Sequence, residues 1–192
     1  MIWKDQGLII GRRPLGEKAW IVDMLTHDHG RHSGLYAGSG QSLFAGAKVF
    51  IQCQARLEEQ LGKIKLEPIP IPALWTIYNH PILLRFLQMM CIVCLDIIPH
   101  RYPVCTFYLL FDNALKGLVG QGPLSAYAEF ENLLINELGY GINMDQIIGS
   151  PASDMLQKLI ERSELKQHWP QAQNLHKHRI DFLRWLEKKL NQ

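Results

Sequence analysis

Residues 47–57 read AKVFIQCQARL. Val49, Ile51, Cys53 and Ala55 fall on one side of the alternation, and Lys48, Gln52, Gln54 and Arg56 on the other. That period of two is the signature of a strand with one buried face. Four further short runs accompany it: Ile2–Gly11, broken by a turn at Asp5, Gln6 and Gly7; Ala19–Thr26; Arg31–Ala37; and Lys63–Glu67. Turn residues separate the runs, and nothing in the first 67 residues carries a helical period long enough to compete.

Five short strands in so small a span leave edges to be paired, and closing into a barrel removes them. The expected fold class is therefore α+β: a five-stranded OB-fold β-barrel over residues 1–70, followed by an all-helical domain over residues 73–192. A small SH3-like barrel would give nearly the same strand pattern, so strand count alone leaves function open. The boundary is set by EPIPIP at 67–72, whose alternate prolines remove backbone donors and hold the chain extended. Beyond it the period turns helical. Helices are expected at Ala73–Asn79, at Pro81–Ile98 closed by Pro99, at Val104–Val119, and at Leu124–Leu138 between Pro123 and Gly139. Two amphipathic helices, Ser153–Lys166 and Ala172–Leu190, finish the chain.

The 192 residues are 47% hydrophobic and 20% charged, the usage of a folded protein rather than a disordered one. Lys4, Asp5 and Gly7 interrupt the apolar start that an export signal needs. The most apolar region, 81–99, contains Arg85 and Asp96 and is shorter than the ~20 residues that span a bilayer. A cytoplasmic protein with no membrane association is expected, with Cys53, Cys91, Cys94 and Cys105 reduced. Charge is uneven: residues 1–67 hold 9 basic and 7 acidic side chains, residues 68–150 hold 3 and 6, and residues 151–192 hold 8 and 5. Basic ends and an acidic middle suit phosphate contacts at the ends and protein contacts between them.

No catalytic set stands out, and no enzyme is expected. His27, Asp28, His29 and His32 in THDHGRH have zinc-ligand chemistry, but Asp28 and Gly30 are also what a tight link between strands needs, and no further ligands accompany them. Cys91 and Cys94 form a CxxC inside an apolar helix with no loop to wrap a metal, so they read as small buried hydrophobes. Gly38, Gly40 and Gly46 lack the spacing of a phosphate loop and read as a flexible connector. No metal and no cofactor are expected.

What remains is basic residues interleaved with aromatics: Trp3 with Lys4, Arg12 with Arg13, Lys18 with Trp20, Arg31, and near the end His176, Lys177, His178, Arg179, Arg184 and Trp185. Cations neutralise phosphates and release counterions, while ring faces stack on unpaired bases. A solvated basic surface over core tryptophans would look the same.

The opening, MIWKDQGLIIGRRPLGEKAWIVDMLTHDHGRHSGLYAG, resembles the N-terminus of the RecO family of bacterial recombination mediators. The resembling features are a first strand with DQGLII, a turn with RPLGE, a strand WIVDMLT, and HGRHSGL. VFIQCQARLEEQLGKIKLE resembles that family's closing barrel strands, and FENLLINELGYGINMD its late helix. The resemblance covers most of residues 1–145. It implies an OB-fold barrel followed by helices, with a role in binding and annealing single-stranded DNA. It also implies RecR and the single-strand-binding protein SSB as partners, and indirectly RecA, which is helped to load onto SSB-coated DNA. The zinc site of some relatives uses C-terminal cysteines, of which there are none after Cys105.

The DNA contacts expected on the barrel are Lys4, Arg12, Arg13, Lys18, Arg31, Lys48 and Arg56, with Lys177, Arg179 and Arg184 as a second patch. Two departures qualify them. Relatives carry several cations directly after the HGR…GL segment, where this chain has the nearly uncharged YAGSGQSLFAGA, and each phosphate left without its cation flattens the salt dependence of binding by roughly one unit. The segment after Asp145 also runs quickly into helices, so a reduced C-terminal part is expected. The rival expectation is a protein-binding adaptor acting through RecR or SSB with little DNA contact of its own.

Overall fold

A computed structural model describes residues 2–40, 43–54, 61–103, 105–139, 154, 157, 159 and 173–190. Five strands come first: β1 (Ile2–Pro14), β2 (Ala19–Thr26), β3 (Gly30–Ala37), β4 (Lys48–Gln54) and β5 (Gly62–Ile69). They form a closed barrel in the order β1-β2-β3-β5-β4. All pairs are antiparallel except β3–β5, a parallel seam joining Gly34–Tyr36 to Gly62–Ile64. That order with one parallel closure is the OB arrangement, and it settles the choice between the two small barrels.

The turn expected at Asp5–Gly7 does not form. β1 instead runs unbroken for 13 residues, pairing with β4 over its first half and with β2 over its second, with an irregularity between Ile9 and Gly11. Gly7 is there for close approach: a Cβ on it would stand 2.5 Å from the Ile51 Cδ1 across the barrel. The bulge lets one strand serve two sheets' worth of neighbours. β5 also reaches further than expected, its Pro68 standing opposite Val49.

The helices are α1 (Pro72–Asn79), α2 (Pro81–Ile97), α3 (Cys105–Gly120), α4 (Pro123–Glu137) and α5 (Gln173–Leu190). Prolines stand in the first turn of α1, α2 and α4, where the missing amide hydrogen is no loss. The helix expected over Ser153–Lys166 lies outside the described residues, apart from helical backbone at Asp154, Gln157 and Leu159. Among the described residues no single helix is long and apolar enough to cross a membrane.

Two cores share the strands. Ile9, Val22, Met24, Leu43, Val49, Ile51, Cys53 and Ile64 fill the barrel. On the outer side of β1 and β2, Leu8, Ile10 and Leu25 join the larger helical core with Phe86, Phe107, Phe111, Tyr127 and Phe182. Every residue of β2 from Ile21 to Thr26 is therefore buried, since both of its faces are covered. Each large side chain buried in this way contributes roughly 1.5–3 kcal/mol. Cys91 and Cys94 sit in this core as small apolar groups, and burial pushes the Cys91 thiol up to about 12.

Candidate nucleic-acid interface

The described helices cover the β1–β2 side of the barrel, and among the described residues the opposite side is open. On that open side the strand registers line up three outward-facing rows across β1, β4 and β5: Ile2–Gln54–Lys63, Lys4–Gln52–Lys65 and Gln6–Phe50–Glu67. The alternation that buries Val49, Ile51 and Cys53 turns Phe50, Gln52 and Gln54 outward. Phe50 is half exposed in the middle of the face. A groove of 610 Å³ crosses the face beside it, lined by Lys4, Gln6, Phe50, Gln52 and Lys65 and, on its acidic side, by Asp5, Asp28 and Glu67, with His27 beside them. Around the corner of β5 a second hollow of 480 Å³ takes in Tyr36, Lys63 and Lys65. Among the described residues Lys4, Lys63 and Lys65 have no ion-pair partner. Lys4 and Lys65 stand in the row next to the exposed ring and Lys63 one row further on, so the face offers cations for phosphates and a ring for a base.

The other expected contacts fall into three groups. Arg12, Arg13 and Lys18 are exposed at the far end of the barrel, by the β1–β2 turn. The Arg12 guanidinium lies 5.1 Å over the Trp20 ring and donates to the Gly40 carbonyl. Arg13 is 61% exposed and its Nη1 stands 3.4 Å from the buried Asp23 carboxylate, which also accepts from the Ser33 hydroxyl. A second group is turned inward. Arg31 donates to the Leu95 carbonyl and, at 2.7 Å, to that of Ile98, tying β3 to the end of α2. Lys48 stands 3.6 Å from Asp112 and 5.3 Å from the Tyr108 ring, bridging β4 to α3. Arg179 is 1% exposed, its Nε donating to Glu131 at 2.7 Å and its Nη2 to the Leu159 carbonyl. The third group is exposed on α5: Lys177 and Arg184 share a helix face, with Asp181 between them. Arg56 lies outside the described residues.

The histidine segment builds a hairpin. Asp5, with only 2% of its side chain exposed, accepts from the backbone amides of Asp28 at 2.9 Å and His29 at 3.3 Å and pairs with the His29 ring at 2.8 Å. Burial would raise the Asp5 carboxyl, but the bonds from His29, Asp28 and Gln6 outweigh it and hold the group below its ordinary value. His29 stacks on Trp3 at 4.2 Å, and His32 meets the same indole edge-on. At the tip, Gly30 has φ +70°, and a Cβ there would stand 1.9 Å from the Tyr102 carbonyl oxygen, so the hairpin docks directly on the α2–α3 link. Ligand atoms of Asp5, His27 and Asp28 lie within 4.8 Å of one another, yet the Asp5 carboxylate is already engaged by the hairpin, which leaves this cluster a structural use.

Sequence reading missed Lys63, Lys65 and Phe50, although the signal was present. Lys63 and Lys65 alternate with the inward Ile64 and Leu66, and Phe50 is an aromatic ring at a position whose neighbours in alternation are polar. The tryptophans that drew attention instead, Trp3, Trp20 and Trp185, pack partly against the cores.

The family model described as "Recombination protein O N terminal" matches residues 1–69. Among curated proteins the chain is similar to the DNA repair protein RecO of Rhizobium rhizogenes, 32% identical over 165 residues, covering 81% of this chain and 62% of that protein. It is 32% identical over 151 residues to the DNA repair protein RecO of a Ruegeria species, covering 75% and 62% of the two chains. It is 31% identical over 165 residues to that of Brucella abortus, covering 81% and 65%. The chain thus spans somewhat under two thirds of the length of these relatives.

Proposed function

Since the chain belongs to the RecO family, we propose that it acts in DNA repair and recombination as a mediator, holding single-stranded DNA on the open face of its barrel. The observation that carries this reading is one open face on which Lys4, Lys63 and Lys65, without an ion-pair partner among the described residues, share the sheet with the exposed Phe50. The sheet alternation aims all four away from the core, so they take nothing from the fold and remain available to a ligand. Arg12, Arg13 and Lys18 extend the positive surface at the other end of the barrel, and Lys177 and Arg184 supply a weaker patch on α5. Annealing of strands, and loading of RecA onto SSB-coated DNA together with RecR, follow as the fuller role that the family resemblance supports.

The test is fluorescence anisotropy with a single-stranded oligonucleotide across a salt series. Each phosphate contact to a single strand contributes about 0.7 to the slope of log affinity against log salt. The double variant K63Q/K65Q is therefore expected to bind more weakly and to flatten the slope by about 1.4. Absence of salt-dependent binding by the unaltered protein, with capture of RecR or SSB intact, would replace the mediator by an adaptor that works only through its protein partners.

A further inference from the structure

Away from the open face, a second set of rings stands in solvent. Trp75 is 78% exposed, Phe44 49% and Tyr78 37%. Trp75 and Tyr78 are three residues apart on α1, so they share a side of the helix, while Ile77 between them is fully buried. Phe44 comes from the β3–β4 connection and meets Tyr78 edge-on, with ring centres 5.6 Å apart. The Tyr78 hydroxyl donates to the Ala45 carbonyl at 2.9 Å, which fixes the connection against the helix.

This cluster is joined to the basic end of the barrel. The Gly40 carbonyl accepts from both the Arg12 guanidinium and the Leu43 amide, and Phe44 follows directly. Residues 68–84 contain no charged side chain at all, so nothing in α1 repels a polyanion.

We propose that Phe44, Trp75 and Tyr78 form a stacking platform for the unpaired bases of a single strand whose phosphates are held by the neighbouring Arg12. The inference rests on the DNA-binding reading above and adds a second contact region to it. Size favours a strand over a protein partner. Taking 150–250 Å² per large ring, the exposed fractions of these three side chains offer about 250–400 Å². A stable protein interface needs roughly 800 Å² from each side, whereas one or two ring faces suffice for a base.

The 192-residue protein is titrated with a thymidine oligonucleotide and with an abasic phosphodiester strand of the same length. Trp75→Ala is expected to weaken thymidine binding about 10-fold, a typical stacking loss, to leave abasic binding and the salt slope unchanged, and to be largely rescued by Trp75→Phe. Phe44→Ala, a second exposed position, is expected to act in the same sense, with far-UV circular dichroism unchanged for each variant. Equal thymidine binding by the variants and the unaltered protein would overturn the platform while leaving the DNA-binding reading in place. Failure of the unaltered protein to bind either strand would overturn both. A dimer in sedimentation that Trp75→Ala dissolves would assign this face to a second copy of the chain and overturn the platform as well.

Discussion

Sequence identifies a cation; only the fold tells what the cation is engaged with. Arg31, Lys48 and Arg179 look from sequence like Lys18 and Lys177, yet each is committed to a carbonyl or carboxylate inside the protein. Partners 48 to 67 residues away decide this for Arg179 and Arg31, and no local pattern carries such information. The difference is measurable. Arg179→Met leaves Glu131 buried without its counter-charge and is expected to lose about 3–5 kcal/mol in urea unfolding, whereas Arg184→Ala on the exposed face of the same helix should change stability by less than about 0.5 kcal/mol. Asp5 gives a pH-dependent counterpart. Its folded pKa lies below the ordinary 3.8, so in the window below pH 3.8 the unfolded chain binds more protons than the folded one. The stabilisation is therefore fully present above that value and is lost as pH falls through the folded pKa. Asp5→Asn should lower stability at neutral pH and flatten the acid limb of a stability–pH profile; an unchanged limb would show that the hairpin does not depend on this carboxylate.

At the scale of elements, the strands were legible because their alternation is local, and the helices because prolines and glycines mark their ends. β1 was not. Its Asp5-Gln6-Gly7 has turn composition, but Gly7 answers to Ile51 across the barrel and Asp5 to a hairpin more than 20 residues on. Long-range pairing overrode local propensity, as it commonly does in sheets. The β2–β3 hairpin offers a direct check of how docking adds to backbone strain. Gly16 and Gly30 have nearly the same φ, +69° and +70°, but a Cβ on Gly16 meets nothing within 4 Å while one on Gly30 collides with the Tyr102 carbonyl. Gly16→Ala should cost only the left-handed penalty of about 1–2 kcal/mol. Gly30→Ala should cost clearly more in the same unfolding assay, and equal costs would mean that the α2–α3 link yields freely.

The whole molecule is organised by which side of the barrel is covered. Leu8, Ile10 and Leu25 belong to the helical core although they sit on barrel strands, so neither part has a complete interior without the other. Unfolding followed by tryptophan fluorescence and by far-UV circular dichroism should therefore give coincident transitions, and Leu25→Ala should shift both midpoints together by the equivalent of about 2–5 kcal/mol. Separated transitions would show that barrel and helices are independent. The same arrangement explains the candidate site: with the described helices on one side, β4, β5 and the first half of β1 form the face left open among the described residues. The barrel was readable from residues 1–67, but which flank the helices would cover was not, because Leu8, Ile10 and Leu25 obey the same alternation whichever body they face.

The barrel's parallel seam has a kinetic consequence. β1–β2, β2–β3 and β4–β5 are pairings between strands adjacent in the chain, whereas joining Gly34–Tyr36 to Gly62–Ile64 closes a loop of about 28 residues for only three paired positions, a small gain against the chain entropy given up. Closure at this seam therefore belongs late in folding, after the hairpins have formed. It is also the first place from which the closed ring would open, and Lys63, one of the three lysines of the open face, sits on it. The order in which the chain folds thus ends where the proposed DNA face is completed.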